Sequence, residues 1–249
     1  MRSDLRVTDL LARAGVFAGA PPASVDRAPG VEPVETASAL WPAGPGFPAP
    51  VTVPSLHGAG PPARQIDETT CGAAVLAMLA LAGDPDLARR VAADPGPRFA
   101  VLQRRLHREC AREGWWPRRL GTAPWAAARV ARCGPVRYTH RVVGSGAEGE
   151  AVLHAAVAAA SSGVPVPLFT GGDLARGWQT AVPRHVVLLV DAAPGPDGVV
   201  RVYEPSSAAL HAVPVQTLLH GAPERDLMPA LGWWPHVVWA VLPRTPSGR

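Results

Sequence analysis

Lysine is absent from this chain: all 24 cationic residues are arginine, set against 20 acidic ones. The formal net charge of +4 therefore reflects a composition tilted toward Ala, Arg, Gly and Pro, and says little about partners. Cysteine is nearly absent as well. Cys71, Cys110 and Cys133 form neither a paired disulfide framework nor a zinc-ligand spacing. An odd, sparse count of this kind fits free thiols in a reducing compartment. An unbroken apolar run at the N-terminus is also missing, because Asp4, Asp9 and Arg13 interrupt it, so no export signal is expected. The longest apolar stretch, near Cys71, is well short of the roughly 20 residues a membrane span needs. The expectation is a soluble, cytoplasmic protein. No EF-hand, P-loop or HExxH pattern occurs, and no cofactor or metal is expected.

Proline and glycine, by contrast, are abundant and unevenly spread. Eleven prolines fall between Pro21 and Pro62. Proline removes backbone donors and disfavours helix and sheet interiors, so residues 1–50 read as a partly irregular arm, with a short helix over 4–14 started by Ser3. A compact domain is expected over 51–249. TTCGAAVLAMLALAG is apolar on every side and predicts a buried helix, capped by Thr69 or Thr70 and stopped at Gly83-Asp84-Pro85. Helices are predicted at 98–113, 122–132 and 150–161, and strands at 136–143 and 164–169. Strands HVVLLV, VVRVYEP and HVVWAVL follow. Helices first and an antiparallel sheet afterwards give an α+β class, with the N-terminal helix packed on the C-terminal sheet.

Cys71 falls in the first turn of the predicted helix, where free N–H groups and the helix dipole stabilise a thiolate. A thiolate needs a base, and His185 opens the strand HVVLLV. DAAPGPDG supplies turn signals before the chain returns as VVRVYEP. A hairpin centred between Pro194 and Gly195 places Glu204 directly opposite His185, with Cβ atoms about 5 Å apart. A carboxylate on one ring nitrogen fixes the tautomer and frees the other nitrogen as a base. Gln65, six residues before Cys71, offers an amide that can join the Cys71 N–H in holding an oxyanion. Asp67 reads as a tie within the loop.

Gln65, Cys71, His185 and Glu204, in that order, resemble the papain-like cysteine peptidases. QIDETTCGAAVLAML and RHVVLLVDAAPGPDGVVRVYEPSSA are most similar to the bacteriocin-processing (double-glycine leader) peptidase family and its stand-alone relatives. The likeness covers roughly residues 60–243, with its specific motifs in these two blocks. It implies a papain-like fold with Gln65 as oxyanion donor, Cys71 as nucleophile, His185 as base and Glu204 as orienter. Glu204 stands where that family usually carries Asp or Asn. The function expected is a thiol-dependent hydrolase, a peptidase or amidase working through a thioester. The alternatives are an acyl- or peptidyl-transferase using the same site, and a catalytically silent peptide- or protein-binding module.

Other signals point elsewhere. Gly144, Gly146 and Gly149 have GxGxxG spacing, but the strand before them alternates polar and apolar residues, unlike a dinucleotide-binding strand. Residues 98–141 hold eleven arginines against Glu109 and Glu113, interleaved with Trp115, Trp116 and Trp125. That pattern reads first as arginines flanking helices whose apolar sides pack, as Val101, Leu102 and Leu106 suggest; a groove for an acidic substrate or partner is favoured over a nucleic-acid face. Cys110 and Cys133 read as buried structural thiols. Ser206 and Ser207 lack a nucleophile elbow.

Overall fold

The computed structural model describes residues 63–172, 182–193, 198–221 and 224–244. The arm expected over 1–50 and the expected domain start at Val51 lie outside them. Within them the chain is a mixed helix-and-sheet protein built on one seven-stranded sheet. Helices α1 (Cys71–Gly83), α2 (Pro85–Ala92), α3 (Pro95–Arg112) and α4 (Pro124–Val130) come first. Strands β1 (Arg132–Cys133) and β2 (Val136–Val142), helix α5 (Ala147–Ser161), and strands β3 (Val166–Gly171), β4 (His185–Ala192), β5 (Val199–Glu204) and β6 (Ala209–Pro214) follow. Short helices α6 (Val215–His220) and α7 (Glu224–Leu227) lead to strand β7 (His236–Pro243). The order across the sheet is β1-β2-β7-β3-β4-β5-β6, with every pairing antiparallel. Among the described residues no single helix is long and apolar enough to cross a membrane.

Both sheet faces are covered, which explains why β4 reads as a continuous apolar run. One core gathers α1, α3 and α4 against Phe169, Val186, Leu188, Tyr203 and Val238. The other packs α5 and α6 on Leu168, Val187, Leu189, Val202 and Ala240. Helix α1 lies wholly inside the first: eleven of its thirteen residues are buried, as its all-round apolar sequence predicts. Gly83 is required by a close approach, because a Cβ there would sit 1.9 Å from the Gly134 nitrogen. Asp84 then ends α1 and caps α2, accepting from the Leu87 N–H at 2.8 Å.

Four sequence expectations are corrected. The helix expected over 122–132 stops at Val130, and Arg132–Cys133 pairs with β2 instead. Helices and sheet are not sequential, because α5 carries the chain from β2 over β7 to β3. Gly149 serves this crossover, since a Cβ there would meet the Gly144 carbonyl at 2.0 Å. Edge strand β6, largely half-buried, and helices α2 and α6 were not anticipated; their segments are too short for a clear period.

The fourth correction concerns the β4–β5 hairpin. Leu188 pairs with Tyr203 and Leu189 with Val202, but beyond a bulge at Val190 the partners are Asp191 with Arg201 and Ala192 with Val200. Continuing the first register sets Glu204 across from Val187, not from His185. His185 and Glu204 are thus diagonal neighbours on one face, a separation of roughly 7–8 Å between Cα atoms instead of about 5 Å. The bulge decides the face. Had the register beyond it run on unchanged, Glu204 would fall opposite Leu188 and point to the other side of the sheet.

Candidate active site

The loop 63–70 is tied to the sheet before it enters α1. Tyr203 Oη donates to the Ala63 carbonyl at 2.6 Å, and the Gln65 N–H donates to the Pro205 carbonyl at 2.9 Å. Gln103, buried on the apolar face of α3 with Phe99, Leu106 and Cys110, donates its Nε2 to the Arg64 carbonyl at 2.8 Å. Inside the loop, Asp67 Oδ1 accepts from the Thr69 N–H and hydroxyl at 2.8 and 2.7 Å, so Asp67 is the tie its position suggests. Thr70 is the N-cap residue but makes no capping bond. Its Oγ1 accepts from the N–H groups of Ile66 and Asp67 instead, at 3.1 and 3.0 Å. The first turn of α1, where Cys71 sits, therefore carries no side-chain cap, which leaves its dipole end available to an anion.

Cys71 is buried, and its side chain is near enough to the His185 ring to favour the charged imidazole. On the other side of that ring, Nε2 lies 2.7 Å from Glu204 Oε1. An ionised carboxylate only accepts, so Nε2 carries the proton and donates, and Nδ1 is left for the thiol. Glu204 is 3% exposed and would be costly as a lone buried charge. It is not alone. Besides the imidazole, its two oxygens accept the N–H groups of Ser206 and Ser207 at 2.8 Å each, and their hydroxyls at 2.8 and 2.6 Å.

The electrostatics follow from this packing. Burial on its own raises the carboxyl pKa of Glu204, but the bonds from His185, Ser207 and Ser206 more than reverse it and hold it far below the usual range. Burial likewise lowers the imidazole pKa, and the bonds and negative charges of Cys71 and Glu204 more than reverse that, raising it from 6.5 to about 9. The other thiols lack such partners. Burial pushes Cys110 up to about 12 and Cys133 up to about 11.

Two features press His185 into place. Thr170, its partner on β3, donates its hydroxyl to the Leu231 carbonyl at 3.0 Å. Gly232 follows in the left-handed region (φ 65°), where a Cβ would lie 2.3 Å from His185 Cδ2. The backbone thus lies flat against the imidazole.

The four residues singled out from sequence come together unevenly. Cys71, His185 and Glu204 come together, with His185 hydrogen-bonded to Glu204 and raised in pKa by both neighbours. Gln65 is joined to them by its backbone, through the carbonyl of Pro205, the residue that follows Glu204. Its side-chain Nε2 donates to the Asp67 carbonyl at 2.9 Å, which uses one of two amide hydrogens. Its buried Oε1 has no partner. Sequence reasoning missed Ser206, Ser207, Gln103 and Gly232. The readable signals were serines directly after a Glu-Pro turn and a glutamine at a core position of an apolar helix face. No protein-family model matches this chain, and no curated protein matches it either.

Proposed function

We propose that this protein is a papain-like thiol-dependent hydrolase, a cysteine peptidase or amidase, acting on peptides through a Cys71-His185-Glu204 triad. The reading rests on one observation above all: a single imidazole sits near the helix-start thiol and bonds a carboxylate locked by four serine contacts. Cys71 Sγ attacks a carbonyl carbon and the oxyanion is held by the Cys71 N–H and the free amide hydrogen of Gln65. Collapse forms a thioester as the C–N bond breaks, and His185 gives its proton to the leaving amine. His185 then takes a proton from water, which attacks the thioester and frees the acid. Glu204 keeps the ring oriented and its charge balanced throughout. If an amine replaces water as acceptor, the same steps transfer the acyl group.

A peptide substrate is supported by the distribution of exposed apolar side chains. Among the described residues, Ile66, Val101, Trp115 and Trp233 are the large ones left in solvent. Ile66 follows Gln65, and Trp233 follows the glycine against His185. Two of the four thus lie next in sequence to residues of the candidate site, where a peptide's apolar side chains could be received.

The first test needs no substrate. Iodoacetamide labelling of Cys71, located by peptide mapping, is expected to be rapid at about pH 6 and to slow at least tenfold in His185→Ala. A rate that climbs only toward the ordinary thiol range of about 8.5, and is the same in the variant, would remove the thiol-enzyme reading.

A further inference from the structure

At the end of β7 away from the triad, three arginines stand side by side. Arg132 on β1 lies directly opposite Arg137 on β2. On the other side of β2 the register runs from Val142–Trp239 to Tyr138–Pro243. Continuing it sets Arg244 opposite Arg137, where the Arg244 N–H donates to the Arg137 carbonyl at 2.7 Å. Directly paired residues share a face, so the three side chains form one row across three strands, with Cα atoms about 4.5–5.5 Å apart. Cys133, Tyr138 and Val241 point into the core that holds α1, α3 and α4. By alternation the row is on the other face, and all three arginines are exposed there. The row is remote from Cys71. Val237 and His185 share Thr170 as partner, and Arg244 lies seven residues beyond Val237, roughly 23 Å along the strand.

Like charges directly opposite one another weaken a sheet. Two such pairs adjoin here, whereas the other direct pair of charged residues in the described strands, Asp191 with Arg201, is opposite in sign. Among the described residues none of the three forms an ion pair with a carboxylate. Main-chain carbonyls hold the guanidinium groups instead. Arg132 Nη1 donates to those of Arg129 and Ala131 at 2.6 Å each, Arg137 Nη1 to that of Pro135 at 3.3 Å, and Arg244 Nε to that of Tyr138 at 3.0 Å. These bonds fix the side chains without neutralising them, and they leave most of the five N–H donors of each guanidinium open. Burial and then the charges of Arg137 and Arg244 push the Arg132 pKa below its ordinary value. Glu109 and Glu113 offset this only in part, each being engaged by another arginine, Arg105 and Arg129.

Three fixed positive charges in a row about 10 Å long suit a compact polyanion whose charge is spread over a similar length. A carboxylate supplies one negative charge and a single phosphate up to about two, while two linked phosphoryl groups bring about three. Guanidinium forks also match phosphate oxygens in pairs. We propose that Arg132, Arg137 and Arg244 form an anion site for a diphosphate group, with one phosphoryl unit between Arg132 and Arg137 and the other between Arg137 and Arg244. The site stands apart from the thiol-enzyme reading and holds or falls without it.

The test is calorimetric titration of the intact chain at low ionic strength with inorganic pyrophosphate, orthophosphate, ADP and citrate. Citrate, a tricarboxylate, controls for charge alone. Pyrophosphate is expected to bind saturably and roughly tenfold more tightly than orthophosphate or citrate. It should lose about tenfold in Arg137→Gln, whose central guanidinium serves both phosphoryl units. Arg225→Gln, which removes an exposed charge on α7, should leave the affinity within about twofold. ADP binding as tightly as pyrophosphate would assign the diphosphate to a nucleotide, and weaker ADP binding would assign it to the free anion; either result upholds the site. Urea unfolding reads the row without any ligand: Arg137→Gln removes both like-charge pairs, so its midpoint should rise. Citrate binding as tightly as pyrophosphate, equal losses in Arg137→Gln and Arg225→Gln, no saturable pyrophosphate binding, or a lower midpoint in Arg137→Gln would each overturn the proposal.

Discussion

Replacing Glu204 by Gln removes one charge and turns an all-acceptor group into half a donor. Its Oε1 side faces two donors, His185 Nε2–H and the Ser206 N–H; its Oε2 side faces the Ser207 N–H and two serine hydroxyls. The hydroxyls can rotate to accept from an amide, but the backbone N–H groups cannot. In either orientation of Gln, at least one part-buried backbone N–H is stranded against NH₂, at a cost of about 1 kcal/mol. The imidazole responds in parallel. Its rise from 6.5 to about 9 corresponds to roughly 3 kcal/mol, at about 1.4 kcal/mol per pH unit, held jointly by Cys71 and Glu204 against burial. Losing one of two negative partners is expected to lower the titration midpoint of His185 by roughly 1–3 pH units. The assay is NMR titration of the His185 ring protons in both proteins, with urea unfolding beside it. If His185 still titrates near 9 in Glu204→Gln, the carboxylate is not what holds its charge, and the pairing described above is wrong.

Three further outcomes follow from the same geometry. The stability contributed by the pair is confined to a pH window. The part from His185 is complete below its ordinary 6.5 and lost as pH rises through about 9, while that from Glu204 is present above its ordinary 4.5 and lost as acid reaches its depressed value. The difference in urea stability between wild type and Glu204→Gln should therefore narrow on both sides of that window, and a flat difference would contradict it. Gly232→Ala places a Cβ within 2.3 Å of the His185 ring and strains a left-handed residue, so Cys71 labelling at about pH 6 should fall by an order of magnitude or more. Labelling at the wild-type rate would show that the ring tolerates displacement. Gly83→Ala collides with the Gly134 backbone nitrogen, far from the triad, and should cost about 1–3 kcal/mol of stability in urea while leaving the labelling rate of the folded protein unchanged.

Much of this arrangement was legible from residues because the signals were local. An all-apolar stretch had to become a buried helix, and β-branched runs with turn signals between them had to form a hairpin. The parity that puts His185 and Glu204 on one face came out right by arithmetic that assumed a regular ladder, although the actual partners differ. What could not be read was non-local. Nothing in the sequence near Glu204 states that Tyr203 will fasten Ala63, or that Gln103 will reach Arg64 across 39 positions. Nor does Gly232 announce, 47 residues beyond His185, that it will lie against that ring. The longer acidic side chain has its explanation in the same place. A diagonal neighbour is farther than a direct one, and the extra methylene of Glu204 covers part of that distance.

The bulge at Val190 makes the hairpin behave like a phase shifter. Residues added or removed between Ala193 and Gly198 leave the triad alone, since the pairs from Ala192–Val200 inward are unaffected and only the numbering between His185 and Glu204 changes. Drawing Val190 into the ladder acts differently: paired with Val202, it would set Glu204 across from Leu188 and send the carboxylate through to the opposite surface, whereas deleting Val190 keeps Leu189 on Val202 and the site-side register as it is. The chain distance from histidine to acid is therefore free to drift among relatives, while the count from the kink to each of them is not.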